Sequence, residues 1–147
     1  MQLKELLNVA LKIESDGYEM YSNLAQENEG ELHTLFKDLA AQEREHQQRF
    51  KKIFDKCMED QEQHADWTDD ENAGYLMSFA ELSIFPKLSG NNKPEAVNDA
   101  IDMAIGIEKD SIIFYSDLKN YFKDKDTIDQ IIAEEKQHLM DLLKSRK

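Results

Sequence analysis

Cysteine, proline and glycine are scarce in this chain of 147 residues, which has one, two and five of them respectively. A single cysteine, Cys57, excludes an intrachain disulfide and any four-cysteine iron or zinc site. Long apolar runs are missing too. No stretch approaches the roughly 18 apolar residues needed to span a bilayer, and the N-terminal Met1-Gln2-Leu3-Lys4-Glu5-Leu6-Leu7 lacks the apolar core of a signal peptide. The expectation is a cytoplasmic protein with no membrane segment. Basic side chains are outnumbered, 18 lysines and arginines against 31 aspartates and glutamates, for a formal charge of −13. Such a surface disfavours nucleic-acid phosphates and anionic lipid as partners. What is present, 40% apolar and 33% charged residues, is the balance of a helical globular protein, and the length suits one domain over residues 1–147.

Four segments carry helical periodicity, with glycine or proline in the gaps. The first runs from about Leu3 to Gln26 and stops near Gly30; the second runs from about Glu31 to near Cys57. The third is expected to begin around Pro94, since proline suits the first helical position, and to reach about Phe122. The fourth follows Asp126, read as an N-cap, and continues to near Lys144. Short links within each pair predict two antiparallel hairpins. Between them, from about Met58 to Lys93, lies a long crossover with a short helix near Asn72 to Leu82 and a loop at Ser89-Gly90-Asn91-Asn92. The predicted fold is all-α: a four-helix bundle of two hairpins joined by one long crossover, which is ferritin-like connectivity. Trp67, Phe79 and Phe85 in the crossover are expected to pack against the bundle or a second subunit.

The chain also repeats itself. Residues 10–24 placed over residues 104–118 show seven identities: Ala10/Ala104, Ile13/Ile107, Glu14/Glu108, Asp16/Asp110, Tyr21/Tyr115, Ser22/Ser116 and Leu24/Leu118. At an offset of 92, Glu43-Arg44-Glu45-His46 falls on Glu135-Lys136-Gln137-His138. Each half reads as a helix carrying a glutamate followed by a helix carrying Glu-x-x-His, a duplicated hairpin with pseudo-twofold symmetry.

The inward stripe of each helix is apolar except at its middle. The stripes are Leu3, Leu7, Ala10, Glu14, Gly17, Tyr21, Leu24; then Leu32, Leu35, Leu39, Glu43, His46, Phe50, Ile53; then Val97, Ile101, Ala104, Glu108, Ser111, Tyr115, Leu118; and Ile128, Ile131, Glu135, His138, Leu142. Six polar groups at a similar depth would converge in an apolar interior. Four buried carboxylates repel one another and are costly to leave unpaired, and no lysine or arginine falls on the stripes. Two divalent cations would balance four carboxylates while neutral imidazoles complete the set. Residues i and i+3 lie about 60° apart around a helix and about 4.5 Å along it, so both side chains of Glu-x-x-His can face one metal. Mixed carboxylate and imidazole donors suit iron or manganese, and also zinc.

Glu19, Glu45 and Glu134 lie off the stripes and are expected to be solvated, and His33 and His64 are expected at the surface. Tyr21 and Tyr115 each stand two turns beyond a candidate ligand. They are placed to hydrogen-bond a ligand carboxylate or relay an electron, or simply to fill the core with a satisfied hydroxyl. Gly17 and Ser111 are small enough to leave room for a diatomic ligand. Asp16 and Asp110 point away from their glutamates, and their role is open.

At Glu14, Glu43-x-x-His46, Glu108 and Glu135-x-x-His138 the sequence resembles the ferritin-like di-iron carboxylate proteins, and specifically the rubrerythrin family, over nearly the whole chain. The resemblance implies Glu43 and Glu135 as bridging carboxylates, Glu14 and Glu108 as terminal ones, and His46 and His138 each on one metal. Two departures stand out. One cysteine cannot build the rubredoxin-like iron centre of typical rubrerythrins, and Ser111 stands where those proteins carry an additional glutamate. The resulting expectation is two iron ions that react with hydrogen peroxide or dioxygen, an external redox protein as electron donor, and a homodimer. The alternatives are a non-catalytic iron or zinc binding or storage protein, and a structural helical dimer with a vestigial site.

Overall fold

The computed structural model describes residues 2–59, 70–89 and 96–147. It is built of helices in the order α1 (Gln2–Glu27), α2 (Gly30–Glu59), α3 (Asp70–Phe79), α4 (Phe85–Leu88), α5 (Val97–Leu118) and α6 (Asp126–Ser145). Helices α1 and α2 form one hairpin and α5 and α6 the other, and the four long helices make the expected bundle. No helix is long and apolar enough to cross a membrane among the described residues.

The first hairpin turns within two residues because Gly30 takes a left-handed backbone, φ +68°, where a side chain would be strained. The last turn of α1 is closed from outside: Asn28 Nδ2 donates to the Leu24 carbonyl at 2.8 Å, and His33 Nδ1 donates to that of Ala25 at 2.6 Å. His33 is exposed, as expected, but it is also a hairpin clasp. Helix α5 begins at Val97, three residues later than the sequence suggests, with Ala96 in an extended conformation as its cap. Pro94 and the loop at 90–92 lie outside the described residues, as do His64 and Trp67. Past α5 the chain tightens into one 3-10 turn, Lys119–Tyr121. The cap of α6 also differs from expectation. Asp126 is its first residue, and the carboxylate accepting that residue's N–H is Asp124, at 3.0 Å. Asp126 and Asp129 then complement the positive end of the helix.

The crossover helix is longer than its apolar pattern indicates, running from Asp70 to Leu88 through a π turn at Ala80–Ile84. Within that turn the Phe85 N–H reaches the Ala80 carbonyl five residues back. The wide turn ends one residue short of Pro86, whose ring lacks an N–H and clashes with the carbonyl four residues earlier in a regular helix. Phe79 and Phe85 pack against the bundle core, as expected. The repeated aspartates acquire roles here. Asp110 accepts from Ser83 Oγ at 2.7 Å and pairs with Lys87 Nζ at 2.5 Å, which ties the crossover to α5. Its repeat mate Asp16 pairs with Lys12, whose ammonium lies 4.6 Å above the Phe85 ring.

Buried side chains form two apolar slabs. One holds Leu3, Leu7, Ala10, Phe50, Tyr115, Leu118, Ile128 and Ile131; the other holds Tyr21, Leu24, Phe36, Leu39, Ile101, Ala104 and Leu142. Every stripe position of α1 and α6 is buried. Val97, the first residue of α5, is the exception on that helix at 43% exposed.

Candidate metal centre

Between the two slabs lies a polar layer. Glu14, Glu43, His46, Glu108, Glu135 and His138 are all buried, none more than 3% exposed. Their ligating atoms fall into two overlapping sets, Glu14, Glu43, His46, Glu135 and Glu43, Glu108, Glu135, His138, and within each set the atoms lie within 4.8 Å of one another. Glu43 and Glu135 are common to both. Each set draws on three helices, α1, α2 and α6 for one and α2, α5 and α6 for the other, so neither hairpin completes a set alone.

Both imidazoles turn Nδ1 inward. His46 Nδ1 stands 2.7 Å from Glu135 Oε1 and 3.6 Å from Glu14 Oε1. His138 Nδ1 stands 3.7 Å from Glu43 Oε1, 3.8 Å from Glu108 Oε2 and 3.9 Å from Glu135 Oε1. The rings lie nearly parallel, 17° apart, with centroids 5.7 Å from each other. Five inward atoms make no hydrogen bond although water cannot reach them: Nδ1 of both histidines, Glu14 Oε2, Glu108 Oε2 and Glu135 Oε1. Buried polar atoms without partners are rare and costly. Aimed at one another in sets of carboxylate and imidazole, they fit a pair of divalent cations.

The electrostatics without metal shows the same tension. Burial, followed by the charge of Glu135, pushes the Glu43 carboxyl well above its ordinary range. Burial and then Glu108 do the same to Glu135. Burial also acts upward on Glu108, but the polar groups of Glu135, His138 and Tyr21 around it outweigh it and bring that carboxyl down. Burial lowers the basicity of His46, and the neighbouring Glu14 more than restores it. Only some of these carboxyls can be ionised together without cations.

The two tyrosines hold the layer from opposite sides, each reaching the other half of the repeat. Tyr21 donates to Glu108 Oε1 at 2.6 Å, and Tyr115 to Glu14 Oε1 at 2.7 Å. Burial, then the glutamate each one bonds, keeps both phenols well above their usual titration range, so they stay protonated donors.

The space expected at Gly17 is taken. A Cβ there would stand 3.1 Å from Glu43 Oε2, so the missing side chain admits the Glu43 carboxylate rather than leaving room for a diatomic ligand. Ser111, its repeat mate, is buried. Glu19 and Glu45 are exposed, as expected, but Glu134 is not simply solvated. Arg49 donates to both its oxygens, at 2.7 and 2.9 Å, and holds its carboxyl below the usual range. Glu134 Oε1 lies 3.5 Å from His46 Nε2. On the other side His138 Nε2 lies 2.7 Å from Gln42 Oε1. Sequence reasoning missed Gln42, Glu134 and Arg49. A signal existed in the repeat, since Gln42 and Glu134 each immediately precede the glutamate of a Glu-x-x-His.

Fold and site together define a ferritin-like helical bundle with a carboxylate and histidine centre shaped for two metals. The chain belongs to the rubrerythrin family, whose family model matches residues 5–145. Among solved structures it is similar to a Thermotoga maritima protein described as a ferritin-like diiron-carboxylate protein. The two share 30% sequence identity with a TM-score of 0.74, over 98% of this chain and 93% of that one. No curated protein matches the chain.

Proposed function

We propose that this protein is a di-iron oxidoreductase that reduces hydrogen peroxide or dioxygen with electrons delivered by a separate redox protein. In this reading Glu14 and His46 would hold one iron, Glu108 and His138 the other, and Glu43 and Glu135 would serve both. The observation that carries it is the overlap of two ligand sets, with five inward atoms that make no hydrogen bond. When bound, a ferrous pair supplies two electrons, one from each ion, which with two protons take hydrogen peroxide to two waters.

The remaining parts of the reading concern this chain's own groups. Tyr21 and Tyr115 fix one oxygen of each terminal glutamate, leaving the second free to face the centre. The slabs on either side keep bulk water out and strengthen every charge interaction between them. These 147 residues hold one cysteine, too few for a four-cysteine iron centre among them, and in this reading the electrons arrive from a separate redox protein. A homodimer belongs to the same reading. The test is stopped-flow mixing of the ferrous-loaded protein with peroxide and, separately, with air-saturated buffer. Oxidation should be faster with peroxide than in its absence. If peroxide gives no acceleration, the peroxidase reading fails, and a chain that purifies with zinc alone points to a binding or storage role instead.

A further inference from the structure

The pseudo-twofold of the bundle is broken at the pair of equivalent positions behind the two histidines. Gln42 and Glu134 are related by the same offset of 92 that relates Glu43 to Glu135 and His46 to His138. Each reaches across to the histidine of the other half: Gln42 Oε1 to His138 Nε2 at 2.7 Å, Glu134 Oε1 to His46 Nε2 at 3.5 Å. One imidazole therefore backs onto a neutral amide and the other onto a carboxylate. Glu134 is 37% exposed at its side chain but is not free to swing away, because Arg49 grips both oxygens and is itself braced by Glu45 at 3.0 Å.

An acceptor on the outer nitrogen keeps the proton there and the lone pair of Nδ1 turned to the centre. A carboxylate does this more strongly than an amide and raises the donor strength of the ring. At 3.5 Å from Glu134, His46 Nε2 makes no hydrogen bond; an approach of about 0.6 Å would make the contact a charge-assisted one. Arg49 opposes part of the carboxylate's field. Removing Glu134 would thus act twice, by losing the acceptor and by leaving the guanidinium uncompensated near a site meant for cations.

The geometry points to an unequal metal pair, in which Glu134, held by Arg49, makes the Glu14/His46 position bind its cation more tightly than the Glu108/His138 position. This rests on the two-metal reading above. Glu134 is a positioning residue, acting through His46.

The experiment is a competition titration of the metal-stripped full chain with Zn(II) against a chromophoric chelator. It is paired with ¹⁵N-histidine NMR of the Zn-loaded form, with each Nε2–H assigned through the variants. Two separate binding steps are expected. Glu134→Gln should weaken the tighter step by about tenfold to a hundredfold, while Gln42→Glu should tighten the weaker one. In the NMR the His46 Nε2–H should lie downfield of that of His138, and Glu134→Gln should move it alone, a shift that mere loss of stability would not produce. Two steps of equal affinity in the unmodified chain, or equal losses at both steps in Glu134→Gln, would overturn the inequality while leaving the metal pair intact. Failure to bind two zinc ions at all would overturn both.

Discussion

Tyr21 on α1 donates its phenolic hydrogen to Glu108 on α5, 87 residues away, and not to Glu14 on its own helix. Tyr115 returns the favour across the pseudo-twofold to Glu14. Each hairpin thus clamps a glutamate of the other, so the centre is fastened by bonds between hairpins as well as by its ligands.

A double-mutant cycle in the metal-free protein should show this pairing. Tyr21→Phe with Glu108→Gln should couple by about 1 kcal/mol or more, the scale of a buried hydrogen bond to a charged group, and Tyr21→Phe with Glu14→Gln by close to zero. Urea denaturation of the parent and the three variants of each cycle measures both. Coupling to Glu14 instead would place the hydroxyl on the wrong helix.

Replacing Glu43 and Glu135 together by alanine should abolish binding of the pair, because these two side chains are shared by both ligand sets. Metal content by elemental analysis of the loaded protein checks it. A double variant that still carries two ions would mean that other residues bridge them.

Gly17→Ala should separate stability from metal affinity. Alanine favours a helix interior by about 1 kcal/mol over glycine. The new methyl, however, would press on Glu43 Oε2 at 3.1 Å and turn that carboxylate from the centre. The expected variant melts no lower than the parent when metal-free, yet binds Zn(II) about tenfold more weakly. Unchanged affinity would show that Glu43 adapts freely.

The pH response should reverse with metal. Burial and neighbouring carboxylates raise Glu43 and Glu135 well above the ordinary value of 4.5. Above that value the metal-free native state holds more protons than the unfolded chain, and its stability falls as pH rises through the raised range. Cation binding requires the ionised carboxylates and releases those protons, so affinity climbs over the same interval. Thermal melts between about pH 5 and 8 should show a declining Tm without metal and a flatter or rising one with Zn(II). A metal-free Tm that increases with pH would contradict the burial of these groups as acids.

The four long helices and the inward position of the six polar side chains were legible in residue spacing alone. Both follow from a repeat of 3.6 residues per turn within one continuous helix, where Glu14, Gly17 and Tyr21, or Glu43 and His46, share a face whatever surrounds them. The sequence also carried the duplication that matches α1 and α2 to α5 and α6. Helix packing set the rest: which tyrosine meets which glutamate, that Glu43 occupies the space at Gly17, and that Glu134 and Gln42 back different histidines. Those contacts depend on how far each helix is rotated and slid against its neighbours. The spacing of residues along a single helix has no bearing on that offset, and the same stripe would read identically with the tyrosines bonded within their own hairpins.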